Sequence, residues 1–190
     1  MGCDIHMYVE YAYKKKIPLD GDETPITLEK VYWRNFGGRI NPGRDYTIFA
    51  LLSSGVRGEY DVSFSAKGLP PKDELGYDTT SDAFLYISDK TDKDKIGENE
   101  CTLEDAIRWT QGGHRNLYND RLGNPRWVDN PDWHSHSWLT TDEYTEALEN
   151  YSKLNDWGGE IAIGYDVILS IMRTIESRGA EARLVFWFDN

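Results

Sequence analysis

The sequence predicts an α+β fold: a single domain, residues 1–190, with a central mixed or antiparallel sheet, about four helices and long loops. Two strand patterns at opposite ends of the chain and one helical pattern carry this reading. The opening CDIHMYVEYAY alternates in polarity and is rich in Val, Ile and Tyr, the pattern of a strand. Near the other end, RLVFWF over 183–188 is an almost unbroken apolar run, as expected of a strand buried on both faces. Before it, Thr140-x-x-Glu143 forms a capping box, and Tyr144, Ala147, Leu148, Tyr151 and Leu154 trace one helical face.

The remaining elements follow in chain order. After the first strand, Ile17 to Pro25 is a loop, and Ile26 to Trp33 returns as a strand. Gly37-Gly38 and Asn41-Pro42-Gly43 are turn chemistry. A short helix fits Asp45 to Ser53, with Tyr46, Phe49, Ala50 and Leu52 inward and Gly55 after its end. From about Glu59 to Asn130 the chain is an irregular, loop-rich insertion. Within it a strand fits Ala83 to Ser88, and Asp89 to Glu100 is hydrophilic. A helix over Leu103 to Thr110 starts from the Thr102 cap, with Asp105 reaching back. Gly112 to Pro131, with Asn, Asp, Gly and Pro throughout, reads as a long surface loop. A last helix, Tyr165 to Arg178, turns Val167, Ile168, Ile171, Met172 and Ile175 inward and ends at Gly179. Its loop to the final strand is short, so it packs across the sheet. Cys3 to Val9 is the best partner for that strand, which places the two ends of the chain side by side.

Composition narrows the function. With 190 residues the chain can bury a sizeable core, and 17 Gly and 7 Pro are ordinary for a globular protein. No apolar run approaches a membrane span, and no basic-then-apolar leader opens the sequence. The net charge of −12 argues against long nucleic acid held on a basic face, which gains most from neutralising phosphates. Two cysteines are too few for a disulfide framework and fit reduced thiols in a cytoplasm. Met1-Gly2 lacks the Ser or Thr that myristoylation requires, since His6 occupies that position.

Three clusters could carry chemistry. On the first strand Asp4, His6, Tyr8 and Glu10 share one face, while Cys3, Ile5, Met7 and Val9 face a core. Carboxylate and imidazole together suit a divalent metal or a general base; the alternative is a solvent-facing sheet surface. Parity turns Cys3 away from His6, which disfavours a cysteine nucleophile. In the second cluster, Trp133-His134-Ser135-His136-Ser137-Trp138, an extended chain puts His134 and His136 on one face. Paired imidazoles flanked by indoles suit a metal or a ring-shaped ligand; the alternatives are a hydrogen-bonded lead into the following helix, or a subunit interface. Third, Arg39, Arg44, Arg57 and Lys67 bracket the short helix near Tyr46, Tyr60 and Trp33. Guanidinium forks pair with phosphates and aromatic rings stack on bases, so a small nucleotide fits, against the alternative of structural ion pairs. No Gly-rich phosphate loop, Gly-x-Ser-x-Gly elbow or Cys-x-x-Cys pair is present.

Asp4-x-His6 followed by His134-x-His136 resembles part of the metallophosphoesterase pattern, but that family's Gly-Asp-x-x-Asp and Gly-Asn-His segments are missing. A broader resemblance is to a family of short proteins of bacterial viruses and prophages. It rests on Met1-Gly2-Cys3-Asp4-Ile5-His6, Arg44-Asp45-Tyr46-x-x-Phe49-x-x-Leu52-x-x-x-Val56-Arg57, Gly68-Leu69-Pro70, His134-Ser135-x-Ser137-Trp138-Leu139 and Phe186-x-Phe188-Asp189-Asn190. The resemblance implies a phage or prophage origin and a host-cytoplasmic setting, and it brings no catalytic assignment. His136 falls at a free position of its segment, which ranks His134 above it.

The expectation is an accessory protein acting on a small nucleotide or phosphodiester, as a metal-dependent or acid–base hydrolase that degrades a host immune signal. Asp4, His6, His134 and Asp189 are the catalytic candidates, with Arg44, Tyr46, Arg57 and Trp138 binding the ligand. Asp4, His6 and His134 are the candidate ligands of a divalent metal. The alternatives are a sponge that sequesters the nucleotide intact, and an acidic inhibitor of a host defence protein; self-association into a homo-oligomer is left open.

Overall fold

The computed structural model describes residues 2–17, 28–90, 92–113, 115–155 and 161–189. The first strand, β1 (Ile5–Ile17), pairs antiparallel with β2 (Leu28–Asn35) on one side. On its other side it pairs with the last strand, β8 (Glu181–Phe188), in a register that sets His6 opposite Trp187. Beyond β8 lies β7 (His134–Thr140), so the first sheet runs β2-β1-β8-β7 and is antiparallel throughout. The two ends of the chain therefore meet in one sheet, with β8 interior to it. The expected loop over 17–25 and the first two residues of the expected second strand fall mostly outside the described residues.

One face of this sheet carries the main core. Ile5, Met7, Val9, Leu184, Phe186 and Phe188 pack on three helices: α1 (Tyr46–Leu52), α4 (Thr141–Leu154) and α5 (Ile163–Ser177). Asp45 caps α1 by accepting from the amides of Thr47 and Ile48, and the Thr140–Glu143 capping box opens α4. In α5 the buried residues are Tyr165, Ile168 and Met172. Val167, expected inward, is 48% exposed and lines an apolar groove with Tyr11 and Tyr13. Leu154 and Tyr46 likewise sit at the rim of their helices rather than in the core.

The other face of the sheet meets a second sheet, which is why β8 is apolar on both sides. It is built from β3 (Phe84–Ile87), β4 (Glu100–Cys101), β5 (Leu117–Asn119) and β6 (Pro125–Asp129), in the order β4-β3-β6-β5. Tyr8, Val185 and Trp187 of the first sheet pack there with Leu75, Ala83 and Phe84. On its far side α3 (Leu103–Thr110) closes a small core of Ile87, Cys101, Ala106 and Val128. The chain thus stacks helices, sheet, sheet and helix.

Two expectations change here. Residues 112–131 are not one surface loop: β5 and β6 form a hairpin inside it. The turn is tied by Asp120, whose Oδ1 accepts from the amides of Leu122 and Asn124, with Gly123 at φ 86°. From His6 to Glu10 the polar row of β1 does not face solvent, because the second sheet and the segments leading into it cover these residues, while the Asp4 side chain stays 40% exposed. A short helix not visible in the sequence, α2 (Tyr77–Ala83), sits between the sheets at their edge and delivers Asp78 and Asp82 to that row.

Candidate functional site

The site is built on the ends of β1 and β8. Past the last ladder pair, the Asp189 amide donates to the Asp4 carbonyl at 3.2 Å, and the Asp4 amide donates back to Asp189 Oδ1 at 2.8 Å. This clamp leaves Asp189 Oδ2 at 3.1 Å from Nε2 of His6. His6 is 5% exposed, with the Trp133 ring 4.3 Å away on one side and the Trp187 ring at 5.9 Å. The Trp133 indole N–H donates to the carbonyl of Asp82, which ties that ring to α2.

At the other nitrogen, Nδ1, two groups converge. Arg39 Nη1 lies at 3.0 Å and Asp82 Oδ2 at 3.4 Å. A guanidinium can only donate, so the Arg39 contact requires a lone pair on Nδ1 and places the imidazole proton on Nε2, facing Asp189. Asp82 Oδ2 also accepts from the Tyr8 hydroxyl at 2.8 Å. Burial opposes ionisation of Asp82, but the hydrogen bond from Tyr8, with His6 and the charge of Arg39 close by, outweighs it and holds the carboxyl below its ordinary range. Burial first, and then Asp82, push the Tyr8 phenol well up.

Arg39 reaches this position on a short excursion of the chain. The Phe36 amide donates to the Val9 carbonyl and the Ile40 amide to the Met7 carbonyl, so residues 36–40 are pinned to β1 at both ends. Between the pins, Gly37 adopts φ 71°, which only glycine takes without strain. The Arg39 side chain lies over an open hollow of about 300 Å³, lined also by Tyr8, Gly38, Asp78, Ser81, Asp82 and Asn99. His6 does not itself line the hollow; it contacts two residues that do, Arg39 and Asp82.

Asp4, His6 and Asp189 are thus brought together, and Arg44 joins them through a two-pronged ion pair with Asp4. That pair, chiefly its hydrogen bonds, lowers the Asp4 carboxyl below its usual range. It pairs Arg44 with Asp4 at the Asp189 end of the row, with the Arg44 side chain still 54% exposed. Arg57 reaches the Tyr46 ring at 5.4 Å and the Cys3 thiol, on the helix side of the sheet. Trp138 lies beneath Lys67, whose ammonium is 4.2 Å from the ring and paired with Glu143. Tyr46, Arg57 and Trp138 line no part of the hollow over His6.

His134 and His136 do not share a face. A β-bulge between His134 and Ser137, with Ser135 at φ 51°, breaks the alternation. His134 stacks on Phe188, which faces the helices, and its Nδ1 pairs with Ser135 Oγ at 3.0 Å. His136 packs against Trp187 on the opposite side, where burial, then the Arg115 charge and His134, push it down to about 4. The expected metal set of Asp4, His6 and His134 is not assembled. Asp4 is held by Arg44, both His6 nitrogens are engaged, and His134 belongs to the other face. Among the described residues no group of three or more His, Cys, Asp or Glu side chains is placed to hold a metal ion.

The residues the sequence did not assign are Asp82, Asp78, Ser81 and Asn99. Asp78 and Asp82 stand four apart, one face of a helix, which was the only signal available for α2. Comparison with known protein families, with curated proteins and with solved structures found no match for this chain. No helix among the described residues is long and apolar enough to cross a membrane. The site must be read from its own geometry.

Proposed function

We propose that the protein binds a small phosphodiester of nucleotide type in the hollow over His6 and hydrolyses it with His6 as general base. The observation that carries the reading is the imidazole held at both nitrogens, Nε2 by Asp189 and Nδ1 by Arg39 beside Asp82. Arg39 offers its fork to the non-bridging phosphate oxygens, and in turning to them uncovers Nδ1. Nδ1 then takes a proton from water as the water oxygen bonds to phosphorus. One P–O ester bond breaks, and the departing alkoxide receives the proton back from the imidazolium.

Asp82 and Asp189 flank the ring on both sides. They stabilise the imidazolium more than the neutral ring, which is where charge develops along this path. A positioned base of this kind contributes about 10²–10⁴-fold in rate. Dinucleoside monophosphates and cyclic dinucleotides, incubated with the protein and separated by chromatography, test the proposal. Cleavage should vanish in His6→Asn at an unchanged Tm. Cleavage that survives this substitution refutes the role of His6.

The Arg39 contact also favours a second reading, in which Nδ1 stays covered and the nucleotide is held intact. Retention of uncut nucleotide by the wild-type protein selects it. In the host cytoplasm that the resemblance to phage proteins implies, either activity would lower a host nucleotide signal.

A further inference from the structure

A second hollow adjoins the first. It has a volume of about 210 Å³ and is walled by Tyr77, Phe84, Tyr86 and Trp127, with Ser81 and Asn99 at its rim. Ser81 and Asn99 also line the hollow over His6, so the two spaces lie side by side along α2 with these residues common to both. One end is charged and polar, and the other is aromatic. Tyr77 is 84% exposed and Tyr86 38% exposed, an unusual investment of aromatic surface outside a core.

We infer that the aromatic hollow is a nucleobase subsite, so that the ligand is a nucleoside phosphodiester whose base lies among Tyr77, Tyr86 and Trp127 while its phosphate meets Arg39. The inference rests on the function proposed above and specifies its substrate. Tyr86 and Trp127 are register partners across β3 and β6, with centroids 6.3 Å apart and planes at 71°. They present an edge and a face around one space, geometry that receives a flat ring by stacking and edge contact. The Lys72 ammonium packs on the Trp127 ring, 3.6 Å from its centroid, and helps fix it. Tyr86 is fixed by its amide, which donates to the Asn99 carbonyl.

Charge sets the rest of the ligand. Of the residues lining the two hollows, Arg39 is the single cation, against Asp78 and Asp82. One guanidinium can pair with the single negative charge of a diester, and the two carboxylates repel each further charge of a polyphosphate, so the least charged phosphate is favoured. Ser81 and Asn99, which line both hollows, offer acceptors to the amino groups of a base.

Calorimetric titration of the intact protein with dinucleoside monophosphates, and in parallel with dimethyl phosphate, tests the subsite. The dinucleotides should bind, and Tyr77→Ala and Tyr86→Ala should each weaken them roughly 5- to 150-fold, the range of one lost base–aromatic stack. Those substitutions should leave the weaker binding of dimethyl phosphate unchanged, while Arg39→Ala weakens both. Saturation-transfer NMR on the wild-type protein should show the base protons in contact. Equal affinity for dimethyl phosphate, indifference to both tyrosine substitutions, or no dinucleotide binding at all overturns the inference. Binding without cleavage would sink hydrolysis and leave the subsite standing. Cleavage with a KM unmoved by Tyr77→Ala would sink the subsite alone.

Discussion

Arg183 donates from Nε at 2.9 Å and from Nη2 at 2.7 Å to one carboxylate oxygen of Glu10, its register partner across β1 and β8. The pair lies between the sheets, with Glu10 fully buried and the Trp33 ring 3.8 Å from the guanidinium. The other Glu10 oxygen accepts from the Gly76 amide and the Thr79 hydroxyl, which ties α2 to β1. Glu10→Ala should therefore cost about 3–5 kcal/mol, because it strands a buried guanidinium. A double change, Glu10→Met with Arg183→Met, should cost much less than either single change. Urea denaturation of the three variants checks this.

Asp189→Asn should move the proton on His6. An asparagine can turn its NH₂ toward Nε2, which forces the imidazole proton to Nδ1 and removes the lone pair that faces Arg39. Long-range ¹⁵N–¹H NMR should read the Nε2–H tautomer in the wild type and the Nδ1–H tautomer in the variant. The cleavage rate should fall by about 10²–10⁴-fold at a nearly constant Tm. The same tautomer in both proteins would refute the role given to Asp189.

His136 should make stability sensitive to mild acid. Its folded value is about 4, against 6.5 when unperturbed. A histidine depressed on folding is neutral in the native state, so its contribution is complete above about pH 6.5 and is lost as pH falls toward 4. At about 1.36 kcal/mol per pH unit, the loss across that window is roughly 3 kcal/mol. Urea midpoints between pH 7.5 and 4.5 should fall steeply for the wild type and less steeply for His136→Phe.

Gly164→Ala should loosen α5. A Cβ there would lie 2.8 Å from Cα of Pro42, a buried backbone atom that cannot step aside cheaply. The neighbouring Tyr165 hydroxyl donates to the Gly43 carbonyl, so the same displacement strains that bond. Overpacking costs about 1–3 kcal/mol, and the better helix propensity of Ala returns at most about 1. A net loss of stability in thermal denaturation is the expected result.

The frame of the fold was legible where pattern is strong. The alternation of β1, the apolar run of β8 and the Thr140–Glu143 box each state their structure within a few residues, and β8 could be placed inside the sheet from its composition. Of the second sheet only β3 was legible, as the strand expected over Ala83 to Ser88; the others span two to five residues and include Pro125 and Asn119, too short for any period to show. Strand parity put Asp4, His6 and Tyr8 on one face, and the end of β8 put Asp189 near them. Parity failed at His134 and His136, since one bulged residue reverses the face of everything before it. Asp82 was illegible because its helix has seven residues and no apolar stripe. Arg39 and Arg44 look alike in sequence, and only the fold shows that Arg44 is paired with Asp4.

Strand β8 is flanked by β1 and β7 and covered on both faces, so its amides should exchange with solvent only when the whole molecule unfolds. Arg39, on its Gly37-Gly38 excursion, and α2, two turns at the sheet edge, belong to segments that should open more cheaply. The site thus joins the slowest-exchanging strand of the protein, through Asp189, to two of its faster-exchanging segments. A ligand bridging them would slow deuterium uptake at residues 36–40 and 77–83 and leave β8 as it was, a footprint that locates the binding event without any knowledge of the ligand's identity.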